Sequence, residues 1–548
     1  MTRILGLHNS FTALTHDSSA ALLEDGKVLA AVEEERLNRI KSSVSFPATR
    51  STKEIFEIEG AHTTIEGLLS CEYLAVDGST FPMMKEKVFD WLKYEFGGCP
   101  RIELVNQADA HCYGAFFGSG FSEALSFDIE GAGDGISFQV CYFKKGPNGK
   151  LIEKKTLYQA DSKKSLGFFY ALFTQYLGFE AAEGEYKVMG MAAYGHPKID
   201  LTSVMDFLPI EGILEDIDER VFSKTTRHSI VEPIFNANYI ESITGVPPRA
   251  RFGKIEKEHL DLAASVQHSF EKMYLGLIRY WVEKTGCRFV CISGGCALNA
   301  VANMKLLEFD IAGLYVMPAA SDRGVSLGAA TYLSAELNEE VVAPTDMYLG
   351  RSWTKEESVR ILSSYGVKFK DLNSPMEYLS DCLENGQVIG FFEYRAEFGP
   401  RSLGARSILA SPRVSGIRDK INSSIKYREQ FRPFAPAILD TELEFFSPKA
   451  DFSSMTITSK IPEGLRTPIS EAVHIDGTSR IQIVKNDNKA IGKLLKVLKQ
   501  SGSHPSLINT SFNLKGEPIV YTPADAMRTF FSSGLDTCYI NGLIVEKS

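Results

Sequence analysis

The chain has no Cys-x-x-Cys pair, and no apolar run approaches the roughly 18 residues needed to cross a bilayer. Its 9 cysteines are scattered, and Cys291 and Cys296 lie in a segment whose pattern predicts a buried strand and turn. We therefore expect reduced, mostly buried thiols. The chain also has no low-complexity tract and no short-period repeat.

Two further absences narrow the class of protein. The segment Met1 to Leu7 leads into a strand pattern, without a charged leader, an apolar stretch and a small-residue cleavage site. We therefore expect a cytoplasmic protein that does not associate with membranes. The formal net charge is −10, which argues against non-specific nucleic-acid binding over the whole surface and leaves only a local basic groove open.

The composition supports more than one hydrophobic core. With 548 residues, of which 44% are hydrophobic and 23% charged, the chain exceeds the length that a single core usually supports. The acidic stretch Glu336 to Glu340 gives way to Ala343-Pro-Thr345, which is typical of a surface linker. We predict one domain over residues 1–350 and a second over 351–548. Residues 199–260 have weaker periodicity and are predicted to form an insertion or a lid.

Short patterns along the chain indicate α/β architecture. Asp25-Gly26 lies between two apolar runs, which predicts a β-hairpin. From Ser165, apolar residues recur at three- and four-residue spacing, which predicts a helix that stops at Gly178. A buried strand at 288–293, a glycine turn and a helix over 296–307 follow, and a weaker pattern of the same kind covers 314–333.

The stretch from Glu397 to Pro436 combines several arginines with rigid glycine and proline turns and apolar flanks. Guanidinium groups held in this way suit phosphate and carboxylate oxygens, which predicts an oxyanion-binding site. A salt-bridge network with Glu393, Glu397 and Glu429 is the alternative that spacing alone leaves open. Further along, Leu507 to Asn513 predicts a buried strand that ends in polar side chains, although a simple Asn/Ser turn would also fit.

Candidate metal ligands lie on both sides of the glycine-rich segment Gly131 to Gly135 in the sequence. His111 and Asp128 come before it, and Asp322 lies far downstream in Ala320-Ser-Asp-Arg-Gly324. One imidazole and two carboxylates with open positions suit a divalent metal that also touches nucleotide phosphates. Each of these residues taken singly would more often be a capping or surface group.

Several motifs together resemble the carbamoyltransferases of nodulation-factor and antibiotic biosynthesis, and they span nearly the whole chain in order. They are His16-Asp-Ser with Val32-Glu-Glu-Glu-Arg36, Gly184-Glu-Tyr-Lys-Val-Met-Gly190, Ser293-Gly-Gly-Cys-Ala-Leu-Asn299, Glu397-Phe-Gly-Pro-Arg-Ser-Leu-Gly404, Phe431-Arg-Pro-Phe-Ala-Pro436 and Asn509-Thr-Ser-Phe-Asn513. The resemblance implies an α/β fold with an N-terminal Kae1-like domain of the actin-like ATPase (ASKHA) fold and a C-terminal YrdC-like α/β domain.

The resemblance also implies an activity and the residues that carry it. In such enzymes the YrdC-like domain converts carbamoyl phosphate and ATP into carbamoyl adenylate, and the Kae1-like domain transfers the carbamoyl group to an alcohol. Carried over by position, His16 takes the proton of the acceptor, and His111, Asp128 and Asp322 hold the metal. The residues implied for carbamoyl phosphate and nucleotide binding are Arg401, Lys426, Arg428, Arg432, Arg480, Ser511, Asn513, Lys187, Gly294 and Gly295.

One departure from the family pattern concerns the metal. The family usually has His-x-x-x-His where this chain has Gln107-Ala-Asp-Ala-His111, so the first histidine is replaced. Gln107 offers an amide oxygen, which hard cations accept more readily than soft ones. Iron and magnesium therefore both stay open as the cofactor beside ATP, and Gln107 is a further candidate ligand.

Two alternatives come from other classes of protein. A threonylcarbamoyl transferase acting on tRNA adenosine shares both domain types, but it would use threonine and bicarbonate in place of carbamoyl phosphate. A non-catalytic actin-like nucleotide sensor would bind partners through residues 199–260. Within the transferase hypothesis the acceptor is open among hydroxyls of sugars and natural products and a hydroxymethylated nucleobase in DNA. The basic residues predicted to contact such a strand are Arg249, Arg251, Lys254 and Lys257.

Overall fold

The computed structural model describes residues 1–11, 15–81, 83–205, 214–223, 234–485, 487 and 489–547. The chain divides into two compact units. The first comprises Met1–Leu74, Val88–Ile102 and Pro344–Ser548, and the second comprises Ala75–Lys87 and Glu103–Ala343. Compactness does not reveal which segments act together in catalysis, so the predicted domains 1–350 and 351–548 stay predictions.

The first unit begins with three antiparallel strands, β1 (Arg3–His8), β2 (Ser19–Glu24) and β3 (Lys27–Glu33). Strand β2 pairs with β1 on one side and with β3 on the other. Asp25 and Gly26, with φ of 46° and 75°, form the turn between β2 and β3, which confirms the predicted hairpin. Two strands lie where the chain passes between the units, β4 (Tyr73–Asp77) and β5 (Arg101–Val105).

The second unit is built on a mixed sheet with the strand order β10-β9-β6-β7-β8. Its strands are β6 (Glu123–Gly133), β7 (Ile136–Lys145), β8 (Leu151–Asp161), β9 (Phe289–Ser293) and β10 (Gly313–Val316). Strands β6, β9 and β10 run parallel, whereas β7 pairs antiparallel with β6, and β8 pairs antiparallel with β7. The parallel strands therefore end at the same edge of the sheet, where polar side chains follow them.

The larger sheet of the first unit has the strand order β11-β20-β19-β12-β13-β18-β14-β17, and a separate pair is formed by β15 and β16. These strands are β11 (Lys370–Asp371), β12 (Ile389–Phe392), β13 (Arg406–Ala410), β14 (Ala435–Leu439), β15 (Ser459–Lys460), β16 (Thr478–Ser479), β17 (Gln482–Val484), β18 (Ser506–Ser511), β19 (Thr537–Ile540) and β20 (Leu543–Glu546). Successive residues such as Phe391 and Phe392 enter different core clusters, so both faces of the sheet are buried.

The helices of the chain lie between these strands. The α-helices are α1 (Glu34–Asn38), α2 (Thr49–Ile58), α3 (Thr64–Leu69), α4 (Met84–Phe96), α5 (Gln107–Ser119), α6 (Leu166–Tyr176), α7 (Glu185–Ala192), α8 (Ala237–Thr244), α9 (Lys257–Thr285), α10 (Ala300–Leu306), α11 (Val325–Glu336), α12 (Lys355–Ser364), α13 (Pro375–Glu384), α14 (Ile417–Ser424), α15 (Glu463–Arg466), α16 (Gly492–Gln500) and α17 (Pro523–Phe531). Short 3₁₀ turns cover Lys41–Ser43, Ser162–Lys164, Thr202–Val204, Glu219–Val221, Gly295–Leu298, Asp322–Gly324, Asp440–Phe445 and Ser470–Ala472.

The predicted α/β class is confirmed, and so are most of the local patterns. The Oγ of Ser165 caps α6 by accepting from the Phe168 amide at 2.9 Å, and Gly178 follows its last turn with φ of 75°. The helix predicted from Cys296 begins instead as a 3₁₀ turn and becomes α-helical at Ala300. All nine cysteines are free and eight are buried, as predicted.

Two further expectations concern membrane association and the segment 199–260. No helix among the described residues is both long enough and apolar enough to pass through a membrane. Within the segment 199–260, residues 206–213 and 224–233 lie outside the described residues. The rest of that segment contains α8 and the beginning of α9, and its role as an insertion or lid stays a prediction.

Candidate functional site

Three side chains from separate elements of the second unit meet at the edge of its sheet. His111 lies on α5, Glu130 on β6, and Asp322 in the 3₁₀ turn that precedes α11. The Nε2 atom of His111 is 3.4 Å from Glu130 Oε2 and 3.9 Å from Asp322 Oδ1. One donor atom from each residue lies within 4.8 Å of the others, which is a spacing that a single metal ion can bridge.

Asp128 lies beside this cluster, two residues before Glu130 on the same strand, so the two carboxylates face the same way. It is fully buried, and neither of its oxygens accepts a hydrogen bond from any residue that the structure describes. The turn after β9 comes close to it, because a Cβ atom on Gly294 would stand 2.6 Å from Asp128 Oδ1. A glycine at this position therefore leaves space around a buried carboxylate.

The electrostatics of the cluster favour a cation. Burial alone lowers the pKa of His111, but the carboxylates of Asp128, Glu130 and Asp322 outweigh it and raise the pKa to about 9. Burial first, and then the Glu130 carboxylate, raise the pKa of Asp128 well above its usual range. A buried carboxylate without a hydrogen bond is costly unless a positive charge lies nearby. An imidazole and several carboxylates fit a divalent cation such as iron or magnesium.

Sequence reasoning missed Glu130 and suggested Gln107 instead. The alternation in Asp128-Ile-Glu130 on a strand was the signal that could have found it, since both acids must point to one face. Gln107 donates from its Nε2 to Asp322 Oδ1 at 3.0 Å, and its backbone amide donates to Asp134 Oδ2 at 3.0 Å. The metal roles of His111, Asp128, Asp322 and Gln107 stay predictions.

The first unit contains a second cluster, which is rich in basic side chains. Lys426 is buried, and its Nζ lies 2.5 Å from Ser511 O, 3.2 Å from Ser511 Oγ, 3.0 Å from Asn513 O and 2.8 Å from Asn513 Oδ1. The structure thus brings together three residues that the sequence suggested for one site. Burial first, and then the guanidinium groups of Arg428 and Arg432, lower the pKa of Lys426 well below its usual range.

Arg480 lies close to the other arginines of this cluster. Its pKa is lowered by burial first and then by the positive charges of Arg401, Arg428 and Arg432. Arg428 is held by a 2.7 Å hydrogen bond from its Nε to Asn422 Oδ1, and its guanidinium lies 4.4 Å from the centre of the Phe434 ring. We name the set Arg401, Lys426, Arg428, Arg432 and Arg480 the basic cluster.

The salt-bridge network that the sequence left open is formed only in part. Glu429 lies 3.7 Å from Arg432, as a network would require. Glu393 instead pairs with Lys493 at 2.8 Å. Glu397 accepts from the backbone amides of residues 403, 405 and 406 at 2.8 to 3.1 Å. Two of the three glutamates, Glu393 and Glu397, therefore bind partners outside the basic cluster.

His16 lies in the loop between β1 and β2 of the first unit. Its Nδ1 is 3.2 Å from Asp17 Oδ2, and its carbonyl oxygen is 2.8 Å from His8 Nε2. The His16 side chain is 29% exposed and Asp17 only 5%, so the imidazole is accessible while its neighbour is buried. This arrangement orients the ring through Nδ1, which leaves Nε2 as the atom suited to take a proton.

The remaining predicted residues lie in the second unit. Lys187 is on α7, with its Nζ 5.2 Å from the centre of the Phe179 ring, and Gly294 and Gly295 form the turn after β9. Arg249, which was predicted to contact a nucleic-acid strand, is buried. Its Nε and Nη1 donate to the carbonyl oxygens of Leu177 and Gly253 at 2.6 and 2.5 Å. Arg249 therefore stabilises the fold and is not available to a strand.

Two other basic residues of that segment are exposed, and each lies near a glutamate. The side chains of Arg251 and Lys254 are 68% and 83% exposed and lie near Glu180 and Glu256 at 3.5 and 2.9 Å. Exposed pairs of this kind are weak and are easily replaced by another anion. A nucleic-acid acceptor would therefore have fewer basic contacts here than the sequence suggested.

Comparison with known proteins identifies the class. The family model described as "Carbamoyltransferase N-terminus" matches residues 74–331, and the one described as "Carbamoyltransferase C-terminus" matches residues 380–547. The chain therefore belongs to the carbamoyltransferase family and is an enzyme of that class. The predicted family is confirmed.

Particular relatives are nodulation proteins. Nodulation protein NolNO of Sinorhizobium fredii is 33% identical over 99% of this chain and 80% of its own length. Nodulation protein NolO of Bradyrhizobium diazoefficiens is 32% identical over 81% of this chain and 79% of its own length. A crystal structure of full-length HypF in the phosphate- and nucleotide-bound form is 12% identical, covers 62% of this chain and 56% of that chain, and has a TM-score of 0.33. A structural likeness that weak supports no inference about this chain.

Proposed function

We propose that this carbamoyltransferase cleaves carbamoyl phosphate to carbamate and phosphate, joins the carbamate to the α-phosphate of ATP to form carbamoyl adenylate with release of pyrophosphate, and then transfers the carbamoyl group to an acceptor hydroxyl. The observation that carries the proposal is the basic cluster, in which Arg480 lies close enough to Arg401, Arg428 and Arg432 for their charges to lower its pKa. Guanidinium groups repel one another, and an anion that binds among them relieves this repulsion.

The chemistry of the two substrates fits such a site. Carbamoyl phosphate and ATP both carry phosphoryl oxygens, and planar guanidinium groups bind these oxygens through paired, charge-assisted hydrogen bonds. Each such bond contributes about 1.5–3 kcal/mol, so several arginines can hold two phosphates together against their mutual repulsion. Ser511 and Asn513, which Lys426 holds at the end of β18, add neutral hydrogen-bonding groups beside the arginines.

We propose that His16 acts in the transfer step. The acceptor oxygen attacks the carbamoyl carbon, a C–O bond forms, and the bond from that carbon to the adenylate oxygen breaks, so that AMP leaves with the electron pair. His16 takes the proton of the acceptor alcohol, and general base catalysis of this kind typically contributes about 10²- to 10⁴-fold in rate. A divalent cation held by His111, Glu130 and Asp322 would supply Lewis-acid chemistry in the second unit.

The acceptor is proposed only as a class, a hydroxyl on a sugar or another natural product. The names of the relatives, nodulation proteins NolNO and NolO, give no acceptor chemistry. A hydroxymethylated nucleobase in DNA is chemically suitable, but the burial of Arg249 removes one of its proposed contacts. A small hydroxylated acceptor is therefore the better supported candidate.

Labelled carbamoyl phosphate tests the whole proposal. The protein is incubated with ¹⁴C-carbamoyl phosphate, ATP, iron or magnesium and a panel of hydroxylated acceptors, and both AMP release and the labelled product are measured. We expect AMP release that depends on carbamoyl phosphate and a carbamoylated product with at least one alcohol. AMP release that requires threonine and bicarbonate would favour threonylcarbamoyl transfer, and the absence of AMP under all conditions would contradict the proposed chemistry.

A further inference from the structure

Four consecutive charged residues at the end of β3 and the start of α1 are all buried. They are Glu33, Glu34, Glu35 and Arg36, with exposed fractions of 1%, 2%, 5% and 3%. A buried charge is costly unless another group compensates it, so each of these side chains must have a definite partner. Glu34 accepts from the backbone amide and the hydroxyl of Ser51 at 2.8 and 3.0 Å, and Glu35 accepts from the Ser42 amide at 2.7 Å.

Glu33 and Arg36 form an ion pair and together hold one distant residue. The Arg36 Nε donates to Glu33 Oε2 at 2.7 Å. The backbone amide of Gly399 donates to Glu33 Oε1 at 3.0 Å, and Arg36 Nη2 donates to the Gly399 carbonyl oxygen at 2.6 Å. The Glu33–Arg36 pair therefore binds both polar groups of the Gly399 backbone.

Gly399 occupies a backbone conformation that needs such support. Its φ is 116°, a value that residues with a Cβ avoid, and it is followed by Pro400, whose φ is restricted by its ring. Arg401 comes next, so the direction in which its side chain leaves the turn depends on how Gly399 is held. Fixing both hydrogen-bonding groups of Gly399 removes the main freedom of this turn.

Arg401 lies close to another positive charge. Its charge is the first of the three guanidinium charges that lower the pKa of Arg480, so the two repel each other before an anion is present. An arginine on an unsupported turn would move away from its neighbours. Holding the turn keeps the guanidinium close to them at the expense of stability, as a preformed anion site requires.

We propose that Glu33 and Arg36 are positioning residues that hold the Gly399-Pro400-Arg401 turn so that Arg401 can bind the phosphate group of carbamoyl phosphate. This inference rests on the proposed function of the basic cluster. Removing one partner of a buried ion pair leaves the other charge uncompensated and lowers stability, so the effect on binding is measured on variants that are shown to be folded. The two side chains do not touch the substrate in this proposal, and they act through the backbone of Gly399.

Arg39 offers a matched control in the same segment. Like Arg36, it donates to backbone carbonyl oxygens of the C-terminal part of the chain, at 2.6 Å to Ile519 and 2.8 Å to Pro518. It does not bond to Gly399 in the described structure. Arg39 also donates to the Arg36 carbonyl oxygen at 3.3 Å and lies 3.6 Å from Asp525. Arg39→Met therefore removes a guanidinium, its three carbonyl contacts and one ion pair, while the side chains that hold the turn before Arg401 are unchanged.

The test compares Arg36→Met, Arg36→Lys and Arg39→Met with the wild type. Carbamoyl phosphate-dependent AMP release gives kcat and KM, and calorimetry with inorganic phosphate gives a binding constant that needs no turnover. We expect Arg36→Met to raise the KM for carbamoyl phosphate and the Kd for phosphate at least about tenfold, as the loss of a charge-assisted contact would. Its kcat should stay within about threefold, Arg36→Lys should restore part of the binding, and Arg39→Met should change neither constant by more than about threefold.

Three outcomes would overturn the proposal, and they differ in what else they affect. Unchanged KM and Kd in Arg36→Met would remove the positioning role alone, since the wild type would still release AMP. Equal losses in Arg36→Met and Arg39→Met would show a general effect on folding instead. A wild type that neither binds phosphate nor releases AMP would overturn the proposed function together with this inference. If Arg36→Met does not fold, Glu33→Gln, which retains the size of the side chain, supplies the same comparison.

Discussion

The Nδ1 atom of His111 lies 3.0 Å from the Oγ of Ser293, and that hydroxyl also lies 3.3 Å from the carbonyl oxygen of Ala320. A hydroxyl has one proton, which it donates to the carbonyl, so toward His111 it accepts. In the neutral imidazole the proton is therefore on Nδ1, and the lone pair is on Nε2, which faces Glu130 and Asp322. This orientation is the one that a metal ligand requires.

Ser293→Ala is expected to weaken metal binding. Without the acceptor at Nδ1, the imidazole loses its fixed orientation, and the loss of such a supporting bond typically costs about 10- to 100-fold in metal affinity. The measurement is calorimetric titration of the metal-free protein with magnesium or, without oxygen, with ferrous iron. Ser126→Ala is the control, because the Ser126 hydroxyl is also buried and donates to the Cys112 carbonyl oxygen of α5 at 2.8 Å without contacting His111. Equal affinities of the Ser293→Ala variant and the wild type would contradict the assignment.

His16→Asn is expected to separate the two half-reactions. Asparagine keeps a polar side chain in the loop but cannot take a proton, so transfer to the acceptor should fall at least about 100-fold. Carbamoyl adenylate formation, followed by exchange of labelled pyrophosphate into ATP, should continue near the wild-type rate. His62→Asn, a change at an exposed histidine of the same unit, should alter neither step. Loss of both half-reactions in a folded His16→Asn protein would show that the division of roles is wrong.

Arg432→Ala is expected to abolish AMP formation from ATP and carbamoyl phosphate. The change removes a charge from the basic cluster and leaves Glu429, which lies 3.7 Å from Arg432, without that partner. Arg528→Ala removes an arginine whose side chain is 53% exposed and pairs with Asp525 at 3.4 Å, so it controls for the loss of positive charge elsewhere. Normal AMP release by Arg432→Ala would remove this residue from the site.

Stability is expected to fall as the pH decreases from 6.5 to about 4. Burial, opposed by the Asp476 carboxylate and assisted by the Arg480 guanidinium, lowers the pKa of His474 from 6.5 to about 4. Between these values the unfolded chain binds a proton that the folded protein does not, so stability is fully present above the unfolded pKa and is lost as the pH falls. The contribution of this one group is at most about 3 kcal/mol.

Urea unfolding at a series of pH values checks this expectation. His474→Gln should give a free energy of unfolding that depends less on pH between 4 and 6.5 than that of the wild type. Phosphate should reduce the same dependence in the wild type, since an anion in the basic cluster would offset the Arg480 charge near His474. Parallel pH profiles for the variant and the wild type would show that other groups cause the loss.

Local patterns in the sequence predicted much of the fold. The Asp25-Gly26 turn and the helix between Ser165 and Gly178 follow from backbone preferences and from the spacing of apolar residues. The helix predicted from Cys296 was less accurate, because the glycine turn before it first tightens into a 3₁₀ turn. Such details depend on how the turn packs against β6, which no local pattern contains.

The sequence by itself determined the class of the protein, because motifs of the carbamoyltransferase family are spaced along the whole chain in order. Only the tertiary structure decided the burial and the partners of individual charged residues. Arg401 and Arg406 look alike in the sequence, yet Arg406 is fully buried and donates to the carbonyl oxygens of Glu393 and Tyr394 at 2.8 and 3.1 Å, whereas Arg401 lies near Arg480.

Glu130 and Glu397 also look alike in the sequence but have different partners in the structure. The first lies beside His111 and Asp322, and the second accepts hydrogen bonds from backbone amides, although both are glutamates beside glycine-rich turns. The physical reason is that the effect of a charge depends on the groups that surround it and on the exclusion of water. Those surroundings are assembled from segments distant in the sequence, so spacing can name the candidates while the fold determines their partners.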